Sequence, residues 1–308
     1  MFGAFPSKVT VVEVGPRDGL QSEPEIVPTE AKIGLIDRLS EAGYAHIEFT
    51  SFVNPKWVPQ LADAAEVSAS IRRKPGVVYS ALVPNMRGLE AAIAAGVDEA
   101  VIFAAASETF SRKNTNRGVD DSLTAYAEVV AAAQSAGKRV RAYVSTVWGC
   151  PYEGAIDAGR VHEVTQRLLE MGAYQVSLGD TIGVATPRKV QTLLERLLKD
   201  IAEPRLALHF HDTRGMGMAN VVAGLDMGMT TYDASLGGLG GCPYAPGATG
   251  NIATEDLVYM LHDMGVSTGL DLDRIVEASR FVSDVLGREL PSRYLRAHLA
   301  KARRESCA

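Results

Sequence analysis

The amino-acid sequence predicts an α/β fold, a (β/α)₈ TIM barrel with a short C-terminal helical extension. Short runs rich in β-branched residues alternate with longer amphipathic segments rich in alanine and leucine, which is the pattern of repeated βα units around a parallel sheet. Eight such units can be counted, and eight are what one barrel requires. The length of 308 residues also fits a single barrel with an extension.

The expected strands follow one another along the chain at residues 9–14, 45–52, 77–83, 99–105, 139–147, 173–178, 206–211 and 231–236. Helical patterns lie between them at residues 29–42, 59–72, 123–136, 161–171, 187–201 and 218–227. Two helices have start signals, because Asp157 and Thr186 stand at N-cap positions and Pro187 suits a first helical position. Right-handed crossovers would place every βα loop at the same end of the barrel.

The chain continues beyond the eighth expected strand. Helical patterns cover residues 251–263 and 271–286, and a basic tail covers residues 292–304. No low-complexity linker separates these segments from the barrel. We therefore expect one catalytic domain over residues 1–308, with the barrel at about 8–265 and the helical extension at about 266–308.

Composition and charge argue against several classes of protein. A content of 46% hydrophobic and 22% charged residues indicates a folded globule rather than a disordered chain. A formal net charge of -6 leaves no broad basic surface for nucleic acid, and no apolar run reaches the length of a membrane span. The N-terminal segment lacks a signal-peptide pattern and the three cysteines are sparse, so we expect a cytoplasmic protein or the mature form of an organellar one.

In a barrel of this kind the catalytic groups lie at the carboxyl ends of the strands. The first expected strand is followed by GPRDGLQ at residues 15–21, and the second carries Glu48. The sixth runs into SLGDTIG at 177–183, the seventh ends in HFHD at 209–212, and the eighth opens into a glycine-rich segment at 237–251. The sequence therefore predicts one polar site at this end of the barrel.

His209 and His211 lie two residues apart on an expected strand, so both imidazoles point into the barrel while Phe210 points away. A lone core histidine is more often structural, but a His-x-His pair at a barrel mouth favours a metal site. Asp18 and Asn251 are expected to reach the same mouth and to complete the ligand set. Two nitrogen and two oxygen donors without a thiolate suit Mg²⁺ or Mn²⁺ better than structural zinc.

Three further charged residues are candidates for the chemistry. Arg17 could form a surface ion pair with Asp18, but beside a metal its guanidinium can hold a carbonyl oxygen that becomes an enolate. Glu48 and Asp180 could each merely satisfy a neighbouring histidine or a backbone amide. We expect them not to bind the metal directly but to orient the metal-binding imidazoles and tune proton transfer. The catalytic candidates are therefore Arg17, Asp18, Glu48, Asp180 and His209, together with a cysteine in the glycine-rich segment.

That cysteine is Cys242, which lies in the glycine-rich segment after the eighth expected strand. Glycine permits closing motions over a barrel mouth, so a thiol held there could deliver or accept a proton. The alternative is a small buried hydrophobe. Cys150 has no comparable case, and Cys307, second from the end of the chain, could be reactive or idle.

A basic segment, SRKNTNRG at residues 111–118, follows the fourth expected strand and contains Arg112, Lys113 and Arg117. A solvated loop is the ordinary interpretation. If the substrate carries a nucleotide diphosphate tail, these cations would be a dock for it. The GLGG run at residues 238–241 lacks the lysine of a Walker loop and the context of a Rossmann turn, so no dinucleotide or P-loop site is predicted.

Seven motifs together resemble the 3-hydroxy-3-methylglutaryl-CoA lyase family. They are GPRDGLQ, SFVNPKW, GCPYEG, SLGDTIG, HFHD, GGLGGCPYAPGATGN and TEDLVYML, spread from about residue 11 to about residue 285. The RDG turn and the His-x-His strand also recur in isopropylmalate and homocitrate synthases, whereas SFVNPKW and the cysteine-bearing loop are more specific to the lyases. One departure is Phe210, where some relatives carry a smaller residue.

The resemblance implies a role for each candidate. The divalent metal ligands that it implies are Asp18, His209, His211 and Asn251, with Mg²⁺ or Mn²⁺ as the metal. Arg17 matches the catalytic and substrate-binding arginine, and Cys242 matches the loop cysteine. The supporting carboxylates are Glu48 and Asp180. The implied substrate is a CoA thioester, 3-hydroxy-3-methylglutaryl-CoA (HMG-CoA), which the family cleaves to acetyl-CoA and acetoacetate in leucine degradation.

Three other functions stay open at this point. A synthase of the same superfamily would condense acetyl-CoA with a 2-oxo acid, although too little chain follows the barrel for the usual regulatory appendage. A lyase for a longer branched analogue would need changes only in the pocket. A non-catalytic metal-binding barrel is disfavoured by the intact metal, arginine and cysteine positions. We expect a homo-oligomer, a dimer or larger, with no nucleic-acid or membrane partner.

Overall fold

Eight parallel strands close into one barrel in the computed structural model, which describes residues 5–241 and 250–306. Each strand pairs with the next along the chain, and the eighth pairs with the first. The predicted (β/α)₈ fold is confirmed. The strands are β1 Thr10–Glu13, β2 His46–Ser51, β3 Val78–Leu82, β4 Glu99–Ala105, β5 Arg139–Ser145, β6 Gln175–Asp180, β7 Leu206–Phe210 and β8 Thr231–Ala234.

Helices alternate with the strands and continue past the last one. The helices are α1 Thr29–Glu41, α2 Ala64–Ser70, α3 Met86–Ala94, α4 Glu108–Thr115, α5 Val119–Ser135, α6 Ala158–Met171, α7 Pro187–Leu197, α8 Gly217–Asp226, α9 Thr254–Asp263, α10 Leu272–Leu286 and α11 Arg293–Ser306. None of the helices in the described residues is both long enough and apolar enough to cross a membrane.

Some helix boundaries differ from the sequence prediction. The helix expected at residues 59–72 is interrupted: a single turn, Pro59–Leu61, precedes α2. Helix α3 is implied by the count of eight βα units but was given no range from the sequence, although Asn85 caps it by accepting a hydrogen bond from the Gly88 amide at 3.0 Å. The segment interpreted as a basic loop begins inside α4, which Ser107 caps in the same way through the Phe110 amide.

The helix-start signals at α6 and α7 have different outcomes. Asp157 caps α6 with its carboxylate, which accepts hydrogen bonds from the amides of Gly159 and Arg160. Thr186 stands at the N-cap position of α7, but its side chain makes no capping bond, and Pro187 occupies the first helical position. Proline at that position costs nothing, because the first amides of a helix have no intrahelical acceptor.

Strand alternation separates two environments within the barrel. Side chains that face the helices are apolar, and Leu208, Phe210 and Tyr232 belong to the continuous core between strands and helices. Side chains that face the barrel axis are largely polar along β5 to β8, and Arg141 and Asp233 are both fully buried there. Barrel interiors are usually filled with branched apolar residues, so this charged interior is a departure that calls for a role.

The C-terminal helices pack against the start of the barrel. Helix α10 lies on α1, and the Asp271 amide before it donates to the Ala42 carbonyl at 2.9 Å. The carboxylate of Asp256 on α9 accepts hydrogen bonds from Ser292 and from the amide of Tyr294, which fixes the start of α11. The helical extension is therefore held by both apolar contact and hydrogen bonds.

Candidate active site

A cavity of about 680 Å³ opens at the carboxyl ends of the strands. Its size is within the range of small-molecule sites. One wall is polar and is formed by residues of β5 and β7 and of the segments that follow β1, β6 and β7, including Arg17, Asp18, Tyr143, Thr181, His209 and His211. The other wall comes from β3, β4, α4, α5 and the segments after β2 and β3. It carries the apolar residues Val53, Leu82, Phe103, Phe110 and Tyr126 and the polar residues Asn54, Asn85 and Lys113.

A tight helical turn, Gly15–Gly19, places Arg17 and Asp18 at the cavity. The amides of Arg17, Asp18 and Gly19 all donate to the Val14 carbonyl. These hydrogen bonds close a turn directly after β1 and place the two charged side chains at the barrel mouth. The Gly15 amide donates to the buried carboxylate of Glu13 at 2.8 Å. The turn is thus anchored to the last residue of the strand that precedes it.

Three predicted metal ligands converge in the structure. Asp18, His209 and His211 each offer a ligand atom, and these atoms all lie within 4.8 Å of one another. Asn251 lies beside them. Its backbone pairs with that of His211, and its side-chain Nδ2 donates to the Asp18 carboxylate at 2.9 Å. Asp18 and Asn251 are separated by 233 positions in the chain, and the barrel brings them together.

Two buried atoms in this cluster lack a hydrogen-bond partner among the described residues: the side-chain oxygen of Asn251 and Nδ1 of His211. Buried polar atoms are rarely left unpaired, since each costs the desolvation of a polar group. An unpaired amide oxygen and an unpaired imidazole nitrogen beside a carboxylate are donors that a divalent cation would satisfy. The residues present therefore fit a metal site.

The charges in the cluster suit metal binding. Burial alone would raise the pKa of Asp18, but Arg17 and the two imidazoles outweigh it and lower the pKa to about 2. Burial lowers the pKa of His211 to about 4, with the charge on His209 adding to the effect. At neutral pH the carboxylate is therefore ionised and the His211 imidazole is neutral, which are the forms that bind a cation.

Asp233 is a site residue that the sequence analysis missed. It lies on β8 in register with His209 on β7, and His209 Nδ1 donates to one of its carboxylate oxygens at 3.3 Å. Burial lowers the pKa of His209, but the hydrogen bond to Asp233 and its charge raise it overall. The sequence signal available for Asp233 was alternation in β8, which turns this side chain into the barrel. The residue opposite it on β7 could not be identified without the strand register.

Arg17 lies between two carboxylates and is almost fully buried. Its Nε donates to Glu48 and its Nη1 donates to Asp18 at 2.7 Å. Its guanidinium also lies over the ring of Tyr143, with 5.6 Å to the ring centroid. Burial opposes the charge, but Glu48 and Asp18 raise the pKa of Arg17 further, so it stays a cation at the cavity wall.

The two supporting carboxylates have other partners than the predicted ones. Glu48 accepts hydrogen bonds from Arg17 and from the Tyr143 hydroxyl, so it orients the arginine rather than an imidazole. Asp180 accepts hydrogen bonds from the amides of Val184 and Ala185 and thereby shapes the loop after β6. The imidazole contact that was expected of these residues is made by Asp233.

Comparison with known proteins identifies the family. The HMGL-like family model matches residues 8–282. A mitochondrial hydroxymethylglutaryl-CoA lyase from Bos taurus is 53% identical over 96% of this chain and 91% of its own length, and the lyase YngG from Bacillus subtilis is 51% identical over 94% and 97%. The chain belongs to the hydroxymethylglutaryl-CoA lyase family. As a member, it is a carbon–carbon lyase.

Solved structures of the family share the whole fold. A hydroxymethylglutaryl-CoA lyase from Pseudomonas aeruginosa is 50% identical in sequence, and its structure matches with a TM-score of 0.95. The match covers 96% of this chain and 99% of that one. A family member from Acinetobacter baumannii, solved in complex with coenzyme A and 3-methylmalate, is 41% identical with a TM-score of 0.91, covering 96% of each chain.

The basic segment near the cavity divides into residues with different partners. Arg112 pairs with Glu108 one helical turn earlier, at 2.7 Å, and its side chain is 63% exposed. Lys113 and Arg117 line the cavity, whereas Arg112 is absent from the lining within the described residues. The Lys113 ammonium also lies 4.3 Å from the ring centroid of Tyr152. Of the three cations predicted to dock a CoA tail, Lys113 and Arg117 line the cavity and Arg112 does not.

The cysteines of this lyase fall in different regions. Cys242 and Cys307 lie outside the described residues, so their predicted roles stay predictions. Cys150 is buried and its Sγ lies 3.0 Å from the Ser107 hydroxyl. This places Cys150 at the N-cap of α4 rather than at the cavity.

Two buried carboxylates hold the start of the glycine-rich segment. Both oxygens of Glu255 accept from the Gly237 amide at 2.9 Å, and Glu13 accepts from the Leu236 amide at 2.8 Å. Gly237 has a φ of 65°, and a Cβ there would lie 2.4 Å from Leu290. A side chain at this position would be both strained and blocked.

Glu255 predicts a pH dependence of stability. Burial raises its pKa to about 7, and the charge of Glu13 adds to the effect while hydrogen bonds from Ser279 and Gly237 oppose it. Between the pKa of the unfolded chain and the raised pKa of the folded protein, the folded protein keeps a proton on this carboxyl group that the unfolded chain has lost. We therefore expect Glu255 to lower the free energy of unfolding as pH rises from about 4.5 to about 7, by on the order of 2–3 kcal/mol.

The measurement is urea unfolding at several pH values for the native protein and for Glu255→Gln. The Gln variant removes the ionisation, so the stability difference between the two proteins should change across this window. Glu66→Gln, an exposed residue on α2, is the control. A difference that stays constant between pH 5 and 7.5 would contradict the assignment.

Proposed function

We propose that this lyase cleaves HMG-CoA to acetyl-CoA and acetoacetate in a divalent-metal-dependent, retro-Claisen reaction. The proposal is supported by relatives named for this activity over nearly the whole chain. The observation that carries it in the structure is the convergence of Asp18, His209, His211 and Asn251 on the wall of a cavity that also presents Arg17. A metal that acts on the hydroxyl and a cation that holds the developing enolate oxygen both favour retro-Claisen cleavage.

The residues that would hold the metal are Asp18, His209, His211 and the side-chain oxygen of Asn251. A set of nitrogen and oxygen donors without thiolate suits Mg²⁺ or Mn²⁺. When bound, the metal would act as a Lewis acid on the substrate's tertiary hydroxyl and carboxylate and lower the pKa of the hydroxyl. Asp233 would keep the proton of His209 on Nδ1, which leaves Nε2 free to face the cation.

The chain's own residues would move the proton and hold the charge. Asp18 or a histidine of the cluster would accept the proton of the tertiary hydroxyl. The bond between the carbinol carbon and the thioester's α-carbon then breaks, its electron pair passes to the enolate of acetyl-CoA, and acetoacetate leaves. Arg17 would hold the enolate oxygen, and its ion pairs with Glu48 and Asp18 fix the guanidinium in advance.

Protonation of the enolate carbon would require an acid above the cavity, and Cys242 is the proposed donor. Its segment leaves the barrel at Gly241, which lines the cavity. We expect Cys242→Ala to lower kcat about 10²-fold or more while leaving metal affinity unchanged, because a missing general acid slows proton transfer without removing a ligand. Cys150→Ala, at a thiol away from the cavity, is the control in steady-state assays. Full activity of Cys242→Ala would reduce the residue to packing.

The coenzyme A portion would enter past Lys113 and Arg117. These cations suit the phosphates of the nucleotide tail, and the Acinetobacter baumannii relative has been solved with coenzyme A. Arg112, committed to Glu108, would contribute to the field rather than a direct contact. A role in leucine degradation is what the family implies. We also propose a homo-oligomer, a cytoplasmic location and one catalytic domain over residues 1–308.

Purified protein incubated with HMG-CoA, with and without Mg²⁺ or Mn²⁺, tests the proposal through the release of acetoacetate. Acetoacetate released only with the metal supports it. In a second arm the protein is incubated with acetyl-CoA and a 2-oxo acid, and release of free CoA there would identify a condensing synthase instead. Faster turnover of a longer branched 3-hydroxyglutaryl-CoA would identify the analogue lyase, and no reaction in any arm would contradict the assignment.

A further inference from the structure

Arg141 lies on β5, inside the barrel, and is the largest fully buried side chain in the part of the chain that the structure describes. Its guanidinium has three acceptors: Nε donates to Gln175 at 2.9 Å, Nη1 to the Tyr143 hydroxyl at 3.2 Å and Nη2 to Asp233 at 2.7 Å. Among the described residues that line the cavity, Tyr143 is present and Arg141 is absent. This arginine therefore lies beneath the site without reaching the substrate space.

The first branch from Arg141 leads to the proposed metal ligands. Asp233 uses one carboxylate oxygen for Arg141, and the other accepts from His209 at 3.3 Å and from the Ser177 hydroxyl at 2.6 Å. The carboxylate is thus held at both ends. Since a carboxylate at Nδ1 fixes the tautomer and the ring orientation of a histidine, Arg141 acts on His209 through Asp233.

The second branch leads to the proposed oxyanion partner. The Tyr143 hydroxyl accepts from Arg141 and donates to Glu48 at 2.7 Å, and the other oxygen of Glu48 accepts from Arg17 Nε. The Tyr143 ring also meets the His209 ring edge-on, with 5.8 Å between centroids. Every link in this branch is buried, so loss of one member leaves its neighbour without a partner rather than in water.

We propose that Arg141 is a positioning residue that sets the orientation of His209 and of Arg17 at the same time, through Asp233 on one side and through Tyr143 and Glu48 on the other. The inference rests on the proposed function, for which His209 and Arg17 are the two groups whose relative placement matters. Only a planar guanidinium presents three donors in fixed directions, so lysine cannot replace it.

Arg141→Met tests the proposal, because methionine fills similar space without donating a hydrogen bond. Two quantities are measured: the Kd of Mn²⁺, by calorimetric titration without substrate, and kcat and KM for HMG-CoA at saturating Mn²⁺. We expect the Kd for Mn²⁺ to rise about 10-fold to 100-fold, as for other residues that orient metal ligands, and kcat to fall at least about 10-fold even when metal is saturating.

Single-branch variants separate the two effects. Asp233→Asn should weaken Mn²⁺ binding, and Tyr143→Phe should lower kcat while leaving the Kd for Mn²⁺ unchanged. Arg139→Met is the matched control: Arg139 lies two residues earlier on β5 and pairs with Glu99 at 3.0 Å, away from the proposed ligands. It should match the native protein in both measurements.

A folded Arg141→Met with native Mn²⁺ affinity and native kcat overturns the inference. If that variant does not fold, the two single-branch variants decide: native Mn²⁺ affinity in Asp233→Asn or native kcat in Tyr143→Phe overturns the corresponding branch. A native protein that fails to cleave HMG-CoA would contradict the proposed function alone, because the Mn²⁺ titrations test the Asp233 branch without any substrate.

Discussion

Asp18→Asn is expected to lower kcat for HMG-CoA cleavage by about 10³-fold. Asparagine keeps the shape of the side chain but removes the negative charge that the cation needs, and it also removes the ion pair with Arg17. A metal that acts as a Lewis acid contributes several kcal/mol to the transition state, which corresponds to a loss of this size. His209→Ala should give a loss at least as large, because it removes a ligand outright.

The measurement is acetoacetate release as a function of Mn²⁺ concentration, together with Mn²⁺ binding to the variants in the absence of substrate. Asp121→Asn, an exposed aspartate on α5, is the control and should behave as the native protein. Near-native turnover of Asp18→Asn or of His209→Ala at saturating Mn²⁺ would show that these residues hold no catalytic metal.

Arg17→Gln is expected to lower kcat by about 10²-fold to 10³-fold while the protein still binds Mn²⁺. The guanidinium is fixed by Glu48 and Asp18 before any substrate arrives, so it would stabilise the enolate oxygen without reorganising. Loss of one such fixed donor to an oxyanion typically costs this factor. Arg17→Lys should recover little of the rate, because an ammonium group cannot bind two carboxylates and an oxyanion in fixed directions.

Steady-state kinetics at saturating Mn²⁺ separate this effect from metal loss. A change confined to KM would show that Arg17 contributes only to binding of the substrate. Arg38→Lys is the matched control, since Arg38 lies on α1 over the ring of Phe281, far from the barrel mouth. A native kcat in Arg17→Gln would remove the arginine from the mechanism.

Sequence reasoning found the residues at the cavity because barrel architecture places the end of every strand at one mouth. Asp18 and Asn251 lie 233 positions apart, and the barrel architecture together with the family resemblance predicted that they meet. The His-x-His spacing needed only the two-residue period of a strand. Arg17 and Asp18 were found for the same reason, since they follow β1 closely.

The residues beneath the cavity could not be found in this way. Asp233 and Arg141 belong to short strands that read as ordinary barrel segments, and their importance depends on which residue lies opposite on the neighbouring strand. Glu48 was found, but its partner was misjudged because an imidazole and a guanidinium are equally plausible without coordinates. Helix α4 was missed because its sequence, ETFSRKNT, is short and polar, and it ends before Asn116, whose backbone is left-handed.

The proposed reaction centre and the apolar residues of the cavity come from different parts of the chain, so we expect substrate choice to be separable from the chemistry. The side chains proposed for bond cleavage come from β7 and the segments after β1 and β8, whereas the apolar residues come from β3, β4, α4, α5 and the segment after β2. Substitutions confined to Val53, Leu82, Phe103 and Tyr126 would reshape the space for an acyl group while every proposed ligand kept its strand and its hydrogen bonds. A barrel divided in this way offers a route to lyases for bulkier thioesters that begins from an intact reaction centre.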